Sequence, residues 1–129
     1  MTTRQRRTQQ KEAIERAFSI SPRPLTVTEV HELSLAICPG LGVATVYRAV
    51  NRLVEDEVLK EVRLPDQPVR YERYNLGHHH HFHCDECERV LDIEAPCASL
   101  SSHLPEGFKV RRHEIIFYGT CDECDSVHG

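Results

Sequence analysis

Two pairs of cysteines with identical spacing are the residues of this 129-residue chain best suited to bind a metal. Cys84 and Cys87 form one C-x-x-C pair, and Cys121 and Cys124 form the other. Two such pairs can bring four thiolates to one tetrahedral ion, and structural sites of this kind commonly hold zinc. Rubredoxin-type and iron–sulfur sites use the same ligands, so the cysteines alone do not fix the metal. We therefore predict a structural metal site, with zinc as the expected ion.

The alternatives for these cysteines are a redox motif and a disulfide framework. A thioredoxin-like motif uses one C-x-x-C pair at the start of a helix, whereas this chain has two pairs. Residues 1–11 are basic and polar, unlike a secretion signal, and no later segment approaches the ~20 apolar residues of a membrane span. We therefore expect reduced thiols, a cytoplasmic protein and no membrane partner.

A run of histidines, which fills five of the six positions from 78 to 83, comes directly before the first cysteine pair. Side chains of an extended strand alternate between its two sides, so one run can contribute to two sites. One side takes His79, His81 and His83, and the other takes His78 and His80. Imidazoles combined with carboxylates suit iron(II), zinc, manganese or nickel, so the run predicts metal binding without selecting the ion.

The first half of the chain has the apolar periodicity of three helices followed by two strands. The predicted elements are a helix at 8–19, a second helix from the capping box at 26–29 to about 39, a third helix after Gly42, and strands at 58–62 and 69–74. A turn at Pro65 and Asp66 joins the two strands. Three helices and a β-hairpin in this order predict a winged helix.

The third predicted helix occupies the position of the helix that enters the DNA major groove in a helix-turn-helix. Its apolar stripe leaves other residue types free for DNA, namely Thr45, Tyr47, Arg48, Asn51 and Arg52. Tyr47 suits a thymine methyl or a phosphate, and the two arginines suit the DNA backbone. The alternative is a three-helix unit with no role in nucleic-acid binding.

Charge divides unevenly along the chain, whose net charge is −4. Residues 1–63 carry ten Lys/Arg against eight Asp/Glu, whereas residues 64–129 carry six against twelve, so the two halves have different roles. Six cations of the first half fall in two segments and predict a phosphate-facing patch: Arg4, Arg6, Arg7, Lys11, Arg48 and Arg52.

The second half predicts a small α+β lobe. Its predicted elements are a strand at 89–93, a short helix at 99–104 and a strand at 109–118 that leads to the second cysteine pair. A lobe of this size has little core, so a metal and a sheet shared between two subunits are the expected sources of its stability. We predict a winged-helix DNA-binding domain at 1–74 and a metal-binding dimerisation domain at 75–129.

Four segments, taken together in order and spacing, closely resemble the ferric uptake regulator family. They are residues 42–48, 71–72, 78–87 and 118–121, and the resemblance covers nearly the whole chain. It implies a homodimeric, metal-dependent repressor of metal-uptake or metal-homeostasis genes that binds a palindromic operator in double-stranded DNA. It also implies a winged-helix domain, a C-terminal dimerisation domain and no enzyme activity.

The resemblance also implies roles for individual residues. The structural zinc ligands are Cys84, Cys87, Cys121 and Cys124. The ligands of a regulatory site for iron(II) or zinc are Glu72, His79, His81 and Asp92. The members of an additional site are His78, His80 and His113. On the DNA side, Tyr47 matches a base-contacting tyrosine and Arg6 a basic residue that reaches the minor groove.

Two positions depart from the family pattern. Pro24 stands where the regulatory site usually takes another histidine. The alternatives are that His31, Cys38 or water replaces that ligand, or that the site functions with the second-half ligands and Glu72 alone. Ser99 stands where the additional site usually has an acidic ligand, although Cys97 is close in sequence and would favour zinc or another thiophilic ion.

Two other functions compete with metal-responsive repression. A peroxide-sensing regulator of the same family would hold iron(II) with His79, His81 and Asp92 and oxidise a neighbouring histidine. A metal-dependent enzyme would use the same imidazoles and Glu72 for hydrolysis or peroxide chemistry. The chain contains no H-E-x-x-H pattern and no glycine-rich phosphate loop, so we predict no catalytic residues.

Overall fold

The chain forms two compact units, Met1–Gly77 and His78–Gly129. The computed structural model describes residues 2–74, 79–94 and 103–128. Each unit contains its own three-stranded sheet. Among the described residues, no helix combines the length and the apolar character needed to cross a membrane.

The first unit is a winged helix, as the sequence predicts. Its elements are α1 (Thr3–Ile20), β1 (Leu25–Thr26), α2 (Val27–Leu35), α3 (Val43–Glu55), β2 (Leu59–Val62) and β3 (Arg70–Arg73). The sheet is antiparallel, with β3 between β1 and β2. The helix α3 follows α2 after a short turn and therefore has the position of the DNA-reading helix of a helix-turn-helix.

The start of α2 follows from a capping box. The amide of Glu29 donates to Thr26 Oγ1 over 3.1 Å, and the amide of Thr26 donates to Glu29 Oε1 over 3.0 Å. Arg23 Nη1 adds an ion pair to Glu29 at 2.8 Å. Burial alone would raise the pKa of the Glu29 carboxyl, but the Thr26 amide and the Arg23 guanidinium together lower that pKa. These contacts fix α2 relative to the strand before it.

Buried apolar side chains from all three helices hold α3 against the rest of the unit. Ile14 of α1, Val30 of α2, and Val46 and Val50 of α3 are each 0% exposed. They belong to one core cluster that also includes Leu59 of β2. Val46, Val50 and Leu53 of the predicted apolar stripe therefore face the core, which turns the opposite face of the helix toward solvent. Val43, the first residue of the predicted stripe, is instead 46% exposed, because it lies at the start of α3.

Three local features of the first unit differ from the prediction. The helix α1 begins at Thr3 rather than at residue 8, because Thr2 and Gln5 form a second capping box. The helix α2 ends at Leu35 rather than near residue 39, since the amides of Ile37 and Cys38 both donate to the Ser34 carbonyl and close a turn. The strand β1 was not predicted, because two residues are too few to show a period.

The second unit has the elements β4 (His80–Cys84), β5 (Val90–Ile93), β6 (Ile116–Gly119) and α4 (Asp122–His128). The central strand β4 pairs antiparallel with β5 and parallel with β6. The predicted strand at 109–118 is too long, because β4 offers only five residues for pairing. The helix α4 was not predicted, and residues 99–102 of the predicted short helix lie outside the described residues.

Ser34 is a buried polar residue whose replacement should change the stability of the first unit. It is 0% exposed, and its Oγ has no hydrogen-bond partner among the described residues. A buried hydroxyl without a hydrogen bond is unfavourable, so Ser34→Ala is expected to raise the free energy of unfolding by about 1 kcal/mol. Urea denaturation measures this change. Ser19→Ala is the control, because the Ser19 hydroxyl accepts a hydrogen bond from Arg73 and should give no gain. A destabilised Ser34→Ala variant would contradict the prediction.

Candidate metal sites and nucleic-acid interface

The four cysteines of the two pairs meet in the second unit. Cys84 ends β4, and Cys87 lies in the turn that follows. Cys121 immediately precedes α4, and Cys124 lies in the first turn of that helix. All four Sγ atoms lie within 4.8 Å of one another, and those of Cys87 and Cys121 are 3.9 Å apart. Four sulfurs at about 2.3 Å from one zinc ion would be about 3.8 Å apart. The cluster is therefore compatible with a zinc site.

Hydrogen bonds prepare some of these sulfurs to be thiolates. Backbone amides near Cys84 Sγ, first that of Cys87 and then that of Cys121 at 3.3 Å, lower the pKa of Cys84 to about 6. Arg89 Nε donates to Cys87 Sγ over 3.3 Å and lowers the pKa of that thiol. Contact with the Cys121 sulfur and burial raise the pKa of Cys124 to about 12. A metal bound by all four cysteines would displace the proton of Cys124, which would make metal affinity depend on pH.

A second cluster combines two imidazoles and a carboxylate. His81 on β4 and Asp92 on β5 are directly opposite in the antiparallel register. Asp92 Oδ1 is 3.1 Å from His79 Nε2 and 3.4 Å from His81 Nε2. Adjacent ligands about 2.1 Å from one metal ion would be about 3.0–3.4 Å apart, so these three atoms suit one divalent ion. The structure therefore places His79 and His81 beside the same carboxylate.

The other predicted ligands in the described residues are His80 and His113 of the second unit and Glu72 of the first. His80 is 2% exposed, and its ring centroid is 5.7 Å from that of His113. His78, the third predicted member of the additional site, lies outside the described residues, as do Cys97 and Ser99. Glu72 lies on β3 of the first unit, opposite Lys60 of β2, whose Nζ is 3.6 Å from the Glu72 carboxylate.

Pro24, where the resemblance implies that a histidine ligand is replaced, is a fully buried residue just before β1. A proline side chain has no donor atom for a metal, so the first unit offers no ligand at this position. His31, one of the alternatives, instead has Nε2 at 2.7 Å from the Leu41 carbonyl oxygen. That contact engages one of its two ring nitrogens within the helix-turn-helix.

The solvent face of α3 presents the predicted DNA-contacting side chains. Tyr47 is 51% exposed, and Arg48 and Arg52 are exposed beside it. Arg48 Nη2 donates to Thr45 Oγ1 over 3.2 Å, which orients the guanidinium along the helix. Arg52 Nε is 3.9 Å from Asp56, a distant and exposed pair that leaves the arginine available to a phosphate.

Four positively charged side chains line a surface groove between α1 and α3. Arg7 and Lys11 from α1 line it together with Arg48 and Arg52 from α3. Arg6 is exposed in the first turns of α1. Four of the six cations predicted to face phosphates therefore line one groove, although the α1 pair and the α3 pair are nearly forty positions apart in sequence. A groove lined by positive charges suits a phosphate backbone.

The first unit is thus a winged helix with an exposed basic face on α3, and the second unit carries a four-cysteine cluster and a histidine–carboxylate cluster. The sequence profile of the ferric uptake regulator family matches residues 2–118. The chain therefore belongs to the ferric uptake regulator family.

Known proteins of this kind resemble the chain over most of its length. The ferric uptake regulation protein of Campylobacter jejuni is 33% identical over 90 residues, which cover 67% of this chain and 57% of that protein. The peroxide-responsive repressor PerR of Staphylococcus aureus is 28% identical over 121 residues, which cover 91% of this chain and 80% of the repressor. The structure of the Helicobacter pylori ferric uptake regulator, which has three functional metal binding sites, matches with a TM-score of 0.68 and 20% identity over 90% of this chain and 79% of the other.

Proposed function

We propose that this protein is a metal-dependent, DNA-binding repressor of metal-uptake or metal-homeostasis genes, and not an enzyme. The observation that carries the proposal is the presence of two different ligand clusters on one small sheet, next in sequence to a winged helix with an exposed basic groove. Four thiolates suit a permanently held ion, whereas two imidazoles and a carboxylate suit an ion that exchanges. The chain would thus have one structural metal site, which stabilises the fold, and one regulatory site, which responds to metal concentration.

The four cysteines would hold structural zinc, and His79, His81 and Asp92 would hold the regulatory ion. Glu72 of the wing is proposed as a fourth ligand, as the family resemblance implies. A ligand from each unit would make metal binding favour the DNA-competent state of the protein. Iron(II) and zinc are the first candidates, and the relative from Campylobacter jejuni is a ferric uptake regulation protein.

The proposed partners are a second copy of the chain and a palindromic operator in double-stranded DNA. The proposed location is the cytoplasm. In a two-fold dimer, each copy presents one α3 to one half-site. Tyr47 would contact a base, while Thr45, Arg48 and Arg52 would contact the backbone. Arg6 would reach the minor groove, and the groove position of Arg7 and Lys11 adds them to the phosphate contacts.

Replacing Arg48 should change the salt dependence of DNA binding. Each phosphate contact contributes about 0.9 to the slope of log affinity against log salt, so Arg48→Gln should lower that slope by about one per protomer. Fluorescence anisotropy at several salt concentrations measures it. Arg16→Gln is the matched control, because Arg16 of α1 is exposed like Arg48 but does not line the groove. An unchanged slope in Arg48→Gln would exclude Arg48 from the interface.

The proposed function is tested by metal analysis together with DNA binding. Protein purified under reducing conditions is expected to contain one tightly held zinc per chain. Binding to a duplex selected from a random-sequence pool is then titrated separately with iron(II), zinc, manganese and nickel. We expect at least one of these ions to tighten DNA binding without displacing the first zinc. DNA affinity that ignores all four ions would overturn the proposal.

Peroxide sensing is the second candidate, because the Staphylococcus aureus relative is a peroxide-responsive repressor. The same preparation distinguishes it. Peroxide treatment of the iron(II)-loaded protein would add one oxygen to a histidine-containing peptide and release DNA. Metal sensing alone predicts no such mass increase.

A further inference from the structure

The guanidinium of Arg89 connects the two cysteine pairs. Arg89 immediately precedes β5 and donates from Nε to Cys87 Sγ over 3.3 Å. Its Nη2 lies 3.9 Å from Cys121 Sγ and also pairs with the Glu123 carboxylate. One side chain thus contacts a sulfur of each pair and an acidic residue of α4.

The charge around the cysteines makes this arginine unusual. Residues 84–89 and 121–125 contain six Asp/Glu and a single Lys/Arg, which is Arg89. Zinc bound by four thiolates carries a net charge of −2, so the carboxylates around the site add to its negative charge rather than offset it.

We propose that Arg89 is a positioning residue of the four-cysteine site. Its guanidinium contacts the sulfurs of both Cys87 and Cys121, which holds them in place and offsets the negative charge of the bound thiolates. The planar guanidinium suits this role, because it directs several N–H groups along fixed directions and stays charged at any working pH. Partners of this kind commonly change metal affinity although they do not touch the metal. The inference rests on the proposed zinc at the four cysteines.

The first test measures zinc affinity of the full-length protein by competition with a chromogenic chelator. Arg89→Gln should weaken zinc binding at least about tenfold, because both sulfur contacts and the positive charge are lost. Arg89→Lys keeps the positive charge but lacks the planar guanidinium, so its zinc affinity should lie between those of Arg89→Gln and the wild type. Arg111→Gln is the control, since Arg111 is an exposed arginine of the same unit. Glu123→Gln should stay near wild type, because the guanidinium can still reach both sulfurs.

The second test replaces zinc by cobalt(II) and records the absorption spectrum. Hydrogen bonds stabilise the sulfur lone pairs, so their loss in Arg89→Gln should move the sulfur-to-cobalt charge-transfer band to lower energy. The ligand-field bands should remain those of a tetrahedral ion, which shows that four sulfurs still bind. A merely structural role for Arg89 would not move the charge-transfer band in this way.

The outcomes separate the two proposals. If wild-type protein holds no zinc, the structural zinc site is wrong and the role of Arg89 falls with it. If wild-type protein holds zinc and Arg89→Gln matches it in both zinc affinity and charge-transfer energy, only the role of Arg89 is wrong. Should Arg89→Gln fail to fold, Arg89→Lys decides: weaker zinc binding and a lower charge-transfer energy than in the wild type support the role of Arg89, and wild-type values in both measurements overturn it.

Discussion

Cys121→Ser is expected to lose its zinc and to unfold the second unit, so that the protein no longer forms dimers. Among the described residues of that unit, the buried apolar side chains are only Cys84, Val90 and Cys121. So small a core needs a metal for stability, and structural zinc contributes on the order of 10 kcal/mol in zinc-finger peptides. Zinc content, circular dichroism and sedimentation velocity measure the three losses.

Cys38→Ser is the control for this variant. Cys38 lies in the first unit, after α2, and is a free, partly buried cysteine outside the cluster. Its replacement should leave zinc content and dimerisation unchanged. A zinc-free Cys121→Ser variant that remains a folded dimer would show that the cluster does not build the unit.

His81→Ala should have the opposite pattern: a folded, zinc-containing dimer that no longer responds to the regulatory metal. His81 and Asp92 are cross-strand neighbours on the β4–β5 pair, so the imidazole can be removed without breaking the backbone ladder. A metal that moves a regulator from mostly inactive to mostly active must prefer the active state by roughly 5 kcal/mol, or about 10⁴-fold. Most of that preference should disappear. Fluorescence anisotropy with the selected duplex, with and without metal, measures the loss.

His103→Ala is the matched control, because His103 is an exposed histidine of the same unit. It should keep the full metal response. If His81→Ala instead loses as much helical signal as Cys121→Ser, the two clusters do not have separate roles.

The parts of the fold that are predictable from sequence depend on local signals. Thr26 and Glu29 are three positions apart and cap α2 with their own side chains, so their types alone indicate where the helix starts. The stripe that includes Val46 and Val50 recurs with the helical period, which identifies the buried face of α3. The alternation of a strand is equally local, and it places His79 with His81 before any partner is known.

The parts that are not predictable depend on distant residues. Leu25 and Thr26 form β1 only because Tyr71 and Arg70 of β3 pair with them. The length of β6 is set by β4, so alternation from residue 109 onward cannot reveal where pairing begins. Arg89 likewise gains its contact with Glu123 across the fold, 34 residues away in the chain. Sequence therefore predicts the candidate metal ligands better than the side chains that support them.

The most direct test of the account is the affinity of the zinc-loaded dimer for its regulatory metal, measured with and without saturating duplex. Binding free energies are reciprocal, so DNA must tighten metal binding by the same factor by which metal tightens DNA binding. We predict that the duplex strengthens binding of the second metal at least about fivefold in the wild type. Metal affinity that is identical with and without DNA, in a protein that binds both, would contradict the account.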